Sequence, residues 1–498
     1  MRRRHVLAGF GAAALLGPRG LLAQPAPTLL EVARRRASAP FDAASPPLPP
    51  PFAGLDYDAY RGIRPIPGRS ALLPHDPDFA VDLLPPGLFF PEPVRIDRDT
   101  GEGPVEVAFA PGLFAFDPRY FGAIPETAPG AGFSGLRLRH PVNAPDRLDE
   151  VLVMQGASYF RAIGEAMVYG LSARAVALGT GGAGPEEFPR FVHLRLHPPR
   201  EGNVRIEGVI DSPSLAGHLD MVLRPGRDTV TRMAVTLLPR REIADIGVAP
   251  LTSMYLKGPL RASVSDDFRP RVHDSDLLLI ENGAGERLWR PIANPARLET
   301  SAFLDENPVS FALHQTPRAF ADFEDSEARY HDRPSAIVRP EGAWGRGAVM
   351  LVEIPTGDEF MDNIVAFWRP EAPLAAGSEH RFDYAVTWTR AAPDSGPGRA
   401  VIQSRSGREH DSPGARRYVI DVTGGPEGLA PEISGPPDVR IEGASHFGLP
   451  DGGTRLTFLL TPGGPDAADL RVVLRDRGRP GPAPVWLHRW TRARDGGV

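Results

Sequence analysis

The chain of 498 residues has no cysteine, and Lys257 is its single lysine. The absence of cysteine excludes disulfide bonds, thiolate nucleophiles and cysteine-ligated metal or iron–sulfur sites. No apolar run approaches the length of about 20 residues that a membrane-spanning helix needs, so we expect a mature chain that does not span a membrane. A net charge of −6 provides no basic footprint for nucleic acid, and we expect no nucleic-acid partner.

Helix breakers, in contrast, are abundant. The chain contains 53 glycines and 56 prolines, yet its hydrophobic fraction of 42% and charged fraction of 24% are those of a globular protein. So many helix breakers exclude a helical bundle or coiled coil and favour short strands joined by turns. The length exceeds that of one ordinary domain, which predicts at least two.

The N-terminus has the pattern of an export signal over residues 1–23. A cationic start at residues 2–4 precedes the apolar stretch 8–16, and the small residue Ala23 follows. The order Arg-Arg-x-Val-Leu at residues 3–7 resembles a twin-arginine signal, while an ordinary Sec signal with an arginine-rich start remains open. Either route predicts a periplasmic protein whose mature chain begins near residue 24.

The next segments predict a large β-rich unit. Residues 24–51 are rich in proline and predict a lead-in with little packing. Beyond them, apolar and polar side chains alternate with the period of a strand at 136–139, 192–197 and 204–207. The best helix candidate, residues 158–171, is weakened by two glycines. Residues 52–390 are therefore predicted to form a large antiparallel β-sandwich.

A composition break follows Trp388. Residues 391–400 have the makeup of a linker, and residues 401–498 contain short strands separated by Gly/Pro turns. That spacing suits a smaller immunoglobulin-like sandwich, without the Cys–Trp–Cys pattern of antibody domains. The predicted fold class is thus all-β, with two sandwiches in series.

Chemistry-bearing residues are densest at residues 328–368, where aromatic, arginine and acidic residues alternate with turns. Such a mixture suits a sugar cleft, because aromatic rings stack on pyranose faces and charged groups bind hydroxyls. From the pattern alone, the favoured interpretation is that Trp344 and Trp368 are core residues of a sandwich and that the acids lie on solvated turns. A second acidic loop holds Asp274 and Asp276, and glycoside hydrolysis requires two carboxyl groups.

Several ordered blocks resemble the periplasmic glucan biosynthesis proteins of the OpgG/OpgD type, also called MdoG/MdoD. The twin-arginine-like start favours the OpgD branch. The matching blocks are residues 156–162, 168–174, 186–191, 246–254, 273–276, 289–291, 328–335 and 362–368.

The resemblance implies a mutarotase-like N-terminal sandwich with a long cleft and an immunoglobulin-like sandwich behind it. It implies action on the β-1,2-linked backbone of osmoregulated periplasmic glucans as an inverting endo-type glycoside hydrolase. Two alternatives remain: a transglycosylase on the same site, and a non-catalytic glucan-binding scaffold for an inner-membrane glucosyltransferase. No cofactor or metal is expected.

The resemblance also implies roles for individual residues. Asp362 would be the general acid, and Asp274 the general base acting through waters, with Asp276 as the alternative base. Tyr330 and Arg333 would shape the loop beside the cleft. The remaining candidates for substrate binding are Trp289, Arg290, Trp344 and Trp368. Each of the three tryptophans is either a stacking platform or buried packing.

Overall fold

The structure is a computed structural model. It describes residues 26–43, 47–69, 73, 76, 78–260, 266–393, 396, 398–412, 414–464, 466–478 and 482–495. The predicted export signal lies outside the described residues, and the predicted linker is described only in part.

The regular secondary structure of the described part of the chain is almost entirely β-strand. The first sixteen strands are β1 (Ile63–Pro65), β2 (Ala80–Leu84), β3 (Arg95–Asp99), β4 (Pro104–Glu106), β5 (Phe114–Phe116), β6 (Gly135–Ala144), β7 (Arg147–Gln155), β8 (Tyr159–Ala162), β9 (Ser172–Arg174), β10 (Val176–Leu178), β11 (Arg190–Leu196), β12 (Val204–Asp211), β13 (Leu215–Arg224), β14 (Thr229–Pro239), β15 (Ile246–Ser253) and β16 (Tyr255–Lys257). The others are β17 (Val272–His273), β18 (Leu277–Glu281), β19 (Arg287–Pro291), β20 (Glu299–Glu306), β21 (Ser310–His314), β22 (Ser335–Pro340), β23 (Arg346–Glu353), β24 (Ile364–Pro370), β25 (His380–Thr389), β26 (Val401–Arg408), β27 (Arg416–Val422), β28 (Leu429–Ser434), β29 (Val439–Gly448), β30 (Thr454–Pro462), β31 (Ala467–Asp476) and β32 (Val485–Thr491). The helices are α1 (Leu29–Ala37), α2 (Tyr57–Arg61) and α3 (Arg492–Asp495), with 3-10 turns at Pro111–Leu113, Phe320–Asp322 and Tyr330–Asp332.

Two large sheets form the main body. One has the order β2-β6-β7-β8-β9-β15-β24-β23-β20, with β10 paired to β15. The other has the order β28-β31-β32-β19-β18-β21-β22-β25-β14-β13-β12-β11-β3-β4. Leu138 and Leu251 of the first sheet share one hydrophobic core with Leu194, Leu219 and Val386 of the second. The prediction of an all-β fold with a large sandwich is confirmed.

The C-terminal strands form a smaller, second sandwich. The sheet β26-β27-β30-β29 packs on β28, β31 and β32 around a core of its own, in which Phe458 meets Trp486 edge-on at 6.4 Å between ring centroids. Strand β32 also pairs in parallel with β19, where Trp486 lies opposite Trp289. Because of this pairing, one sheet runs continuously through both sandwiches.

Helix α1 lies on the outer face of the large sheet. Thr28 and Glu31 form a capping box at its start, and Leu29 and Ala33 are fully buried in a cluster with Val209. The prediction that the lead-in has little packing is therefore wrong for residues 29–37. The reason is that α1 carries an apolar stripe that the proline-rich flank obscures.

The predicted helix at residues 158–171 is also absent. Ser158 has a positive φ of 58°, and strand β8 begins at the next residue. A Cβ atom at Gly164 would lie 2.3 Å from the carbonyl oxygen of Arg227, so only glycine permits this close approach. A side chain at Gly170 would likewise press on Arg333.

Asp276 lies directly before β18, at the junction of the two sandwiches. Both the amide and the hydroxyl of Thr316 donate to its Oδ1 at 2.9 Å. The carboxyl group lines a small cavity of about 40 Å³ together with Val401 and Ser404 of the C-terminal unit. Burial raises the pKa of Asp276 to about 7.

This raised pKa makes stability depend on pH. The folded protein holds the proton of Asp276 more strongly than the unfolded chain, so this carboxyl group lowers the free energy of unfolding as pH rises from about 4 to 7. Asp276→Asn keeps a neutral side chain at all pH values. We expect the wild-type protein to lose up to about 4 kcal/mol more than this variant across that range in urea unfolding. Parallel pH profiles of the two proteins would contradict the assignment.

Candidate functional site

Met254 and Tyr255, the two residues that follow β15, form hydrogen bonds with the segments that carry Asp274 and Asp362. The amide of Asp274 donates to the carbonyl oxygen of Met254 at 2.8 Å. The amide of Tyr255 donates to Oδ1 of Asn363 at 2.8 Å, and Nδ2 of Asn363 donates back to the carbonyl oxygen of Tyr255 at 3.1 Å. Asn363 is fully buried and directly follows Asp362. The fold therefore brings Asp274 and Asp362, distant in sequence, to the C-terminal end of β15.

Asp362 is reachable from solvent. Its side chain is 39% exposed, and its Oδ2 lies 3.5 Å from Nη2 of Arg161, which is also partly exposed. Nε of Arg161 donates to the carbonyl oxygen of Gly170 at 3.1 Å. An ion pair this long and this exposed contributes little stability, so both side chains are free to meet a ligand.

Asp274 has the opposite environment. It is buried and accepts a hydrogen bond from Nη1 of Arg333. Burial raises the pKa of Asp274, the guanidinium of Arg333 opposes that rise, and the negative charge of Asp362 adds to it. The charges of Asp362 and Arg161 act on the pKa of Asp274 in opposite directions, which indicates that the three groups lie near one another. Asp276, in contrast, faces the junction cavity, so the structure separates the two aspartates that the sequence left as alternatives.

Tyr330 and Arg333 connect Asp274 to the segment that carries Asp362. The guanidinium of Arg333 lies 4.2 Å from the centroid of the Tyr330 ring. The hydroxyl of Tyr330 donates to Glu359, three residues before Asp362. Burial raises the pKa of Tyr330, and the hydrogen bond to Glu359 adds to this rise, so the phenol is protonated when it donates. The structure thus brings together Asp362, Asp274, Tyr330 and Arg333.

Gln315 joins the backbone before Asp274 to the backbone of Tyr330. Its Nε2 donates to the carbonyl oxygens of His273 at 2.6 Å and Tyr330 at 2.9 Å. Burial lowers the pKa of His273 to about 3, so the ring is neutral and Nδ1 carries the proton given to Oε1 of Gln315. The three residues hold the strand before Asp274 against the turn at Tyr330.

The three predicted stacking tryptophans are not part of this site. Trp289 and Trp368 are fully buried, and Trp344 is 8% exposed and packs within 6.2 Å of Trp368, centroid to centroid. Since a ring enclosed by the core offers no face to a sugar, the prediction of stacking platforms is wrong for all three. Their pattern in the sequence is explained by packing.

Arg290 is likewise a structural residue. Its guanidinium is buried, donates to the carbonyl oxygen of Pro291 and pairs with the fully buried carboxylate of Glu353 at 2.7 Å. With its donors committed inside the protein, it does not face a substrate. The prediction of a substrate-binding role for Arg290 is wrong.

A concave surface adjoins the Tyr330–Arg333 turn. A cavity of about 700 Å³ is lined by residues 165–167, 227–228 and 390–391. Arg390 in its wall pairs with Asp332 at 3.0 Å. This volume is within the range of known ligand pockets.

Sequence reasoning missed the roles of Arg161, Gln315 and Glu359. Arg161 lies within a block that the resemblance had already marked, but an arginine on a strand is not distinctive by itself. Within the described ranges, no group of three or more His, Asp or Glu side chains is placed to hold a metal ion. None of the described helices is long and apolar enough to cross a membrane.

Similarity to known proteins shows the family to which this chain belongs. The family described as "Periplasmic glucan biosynthesis protein, MdoG" matches residues 26–490. The chain is 41% identical to glucans biosynthesis protein G of Vibrio cholerae over 477 residues, which are 93% of this chain and 86% of that protein. It is 39% identical to the protein of the same name from Rhodopseudomonas palustris, covering 99% of this chain and 100% of the relative. The corresponding Shewanella frigidimarina protein is 38% identical over 93% of this chain and 84% of its own length.

These relatives carry the name of protein G, so they give no support to the OpgD branch that the N-terminal signal favoured. The family description confirms the predicted periplasmic location. Because the match extends over nearly the whole chain, the chain belongs to the MdoG family of periplasmic glucan biosynthesis proteins.

Proposed function

We propose that this protein acts on the β-1,2-linked backbone of periplasmic glucans as an inverting endo-type glycoside hydrolase. The observation that carries the proposal is the convergence of the two segments that hold Asp362 and Asp274. Asn363, the neighbour of Asp362, accepts a hydrogen bond from the amide of Tyr255, and the amide of Asp274 donates to the carbonyl oxygen of Met254. One carboxyl group is exposed and the other is buried, which gives the pair the unequal environments that acid and base catalysis require. Membership in a glucan biosynthesis family supports a glucan as the substrate.

Asp362 is the general acid in this proposal. A glucan chain bound over the exposed side chain of Asp362 brings a glycosidic oxygen to this carboxyl group in its protonated form. Asp362 then gives that proton to the glycosidic oxygen as the bond to the anomeric carbon breaks. Arg161, at 3.5 Å, turns from the carboxylate to the hydroxyls of the bound sugar.

Asp274 is the general base. Arg333 keeps this buried carboxyl group able to ionise, because its charge opposes the effect of burial. The ionised group accepts a proton through ordered water from the water molecule that attacks the anomeric carbon. Inverting enzymes place their carboxyl groups roughly 6.5–9.5 Å apart to leave room for that water, and a relay extends the reach of a buried base.

The first prediction concerns the acid. Asp362→Asn removes the proton donor, so we expect release of reducing ends from linear β-1,2-glucan to fall by at least about 100-fold. Binding of the glucan in affinity electrophoresis should persist, because the side chain keeps its shape. For the wild-type protein, mass analysis of the products distinguishes hydrolysis from transfer to a second glucan, because transfer creates no new reducing ends.

Glu371→Gln is the matched control, since Glu371 is an exposed carboxylate just beyond the opposite end of β24. It should cleave the glucan at the wild-type rate. An Asp362→Asn enzyme that keeps more than a tenth of wild-type activity would show that another group protonates the leaving oxygen.

The second prediction concerns pH. Removing the charge of Arg333 in Arg333→Gln leaves burial unopposed and raises the pKa of Asp274 further. Because the base acts only when ionised, the acidic limb of the kcat/KM profile should move to higher pH. Arg329→Gln is the control, since Arg329 pairs with Asp332 instead. If Arg333→Gln left the acidic limb in place, Asp274 would not be the titrating base.

A further inference from the structure

Phe268 and Phe360 are unusually exposed. Among the described aromatic side chains, only Phe89, Phe268 and Phe360 are more than three-quarters exposed, at 78%, 79% and 90%. Burial of a phenylalanine side chain stabilises a folded protein by about 1.5–3 kcal/mol. A phenylalanine that stays exposed on an ordered segment forgoes this stabilisation and is therefore a candidate for binding a ligand. Two of these three rings lie on segments that are bound to each other beside Asp362.

Arg269 joins these two segments. Its Nε and Nη2 donate to the carboxylate of Asp267 at 3.0 and 2.9 Å, so the two neighbours of Phe268 are bound to each other. Its Nη1 and Nη2 donate to Glu359, the residue before Phe360, at 2.9 and 3.3 Å. Nη1 also donates to Asp325 at 2.8 Å. We call this cluster of Asp267, Arg269, Asp325 and Glu359 the arginine clamp.

The clamp is continuous with the candidate site. Glu359 accepts the hydrogen bond of Tyr330, whose ring lies under Arg333, the partner of Asp274. Phe360 is two residues before Asp362, and its amide donates to Oδ1 of Asp358 at 2.9 Å, which fixes the turn. The backbones that carry both rings are therefore held in position relative to the two carboxylates.

We propose that Phe268 and Phe360 form a sugar-binding platform on which glucose residues of the glucan stack on either side of the cleaved bond. This inference rests on the proposed function and names a subsite of it. Pyranose rings present C–H faces that pack on aromatic rings, while the hydroxyls at their edges bind charged groups. The clamp supplies such groups in the partly exposed carboxylates of Asp267 and Glu359, which are the chain neighbours of the two rings.

The test measures binding apart from catalysis. Asp362→Asn protein is titrated with linear β-1,2-glucan by calorimetry, alone and combined with Phe268→Ala or Phe360→Ala. We expect each second substitution to weaken affinity about tenfold. Phe360→Tyr retains an aromatic face and should keep the parent affinity. In the enzyme with Asp362 intact, the same alanine variants should raise KM several-fold.

Leu304→Ala is the control. Leu304 is 86% exposed on β20, and it belongs neither to the arginine clamp nor to the candidate site. Its affinity should equal that of the parent. If the parent binds glucan and both phenylalanine variants bind it within twofold as tightly, the platform is wrong while the proposed function stands. If neither the parent nor the wild-type protein binds β-1,2-glucan, the substrate assignment falls, and the platform with it.

Discussion

The site depends on the hydrogen bonds between the backbone of Met254 and Tyr255 and the segments that carry the two carboxylates. Asn363 is fully buried and exchanges two hydrogen bonds with Tyr255, while Asp274 is bound through its own amide to Met254. A buried amide without partners would be costly, so this arrangement is strongly favoured over alternatives. The positions of the two carboxylates are consequently set by the backbone of Met254 and Tyr255 together with the side chain of Asn363.

Because of these hydrogen bonds, the two carboxylates lie near each other although one is exposed to solvent and the other is buried. Asp362 remains in contact with water, and Asp274 is enclosed and balanced by Arg333. The path from Arg333 through Tyr330 to Glu359 returns to the segment of Asp362, so the charged groups form one connected network. The substitution of any member is expected to affect the others, and double-mutant cycles are the suitable way to separate their effects.

Part of this structure could be predicted from the sequence. Alternation at residues 192–197 coincides with β11, and the turn residues correctly indicated an all-β fold. Pairing of β19 with β32 could not be predicted, because it joins segments almost two hundred residues apart that have no local signal. The helix predicted at residues 158–171 failed because glycines there serve close backbone approach, which periodicity does not reveal.

The candidate site was predictable to a similar degree. The blocks containing Asp274, Tyr330, Arg333 and Asp362 were identified through the family resemblance, and the structure brings these four residues together. The roles of the tryptophans could not be predicted, because the sequence does not reveal whether a tryptophan lines a cleft or packs in a core. Trp368 is fully buried and packs in the core. Likewise, Asp274 and Asp276 became distinguishable only when their hydrogen-bond partners were known.

A crystal structure of the Asp362→Asn protein with a bound β-1,2-glucan oligosaccharide tests the central claim most directly. The expected result is a glycosidic oxygen within hydrogen-bonding distance of residue 362, with ordered water linking the opposite face of the sugar to Asp274. A glucan bound away from residue 362, or a sugar whose anomeric carbon has no water path to Asp274, would contradict the assignment of these two carboxylates as acid and base.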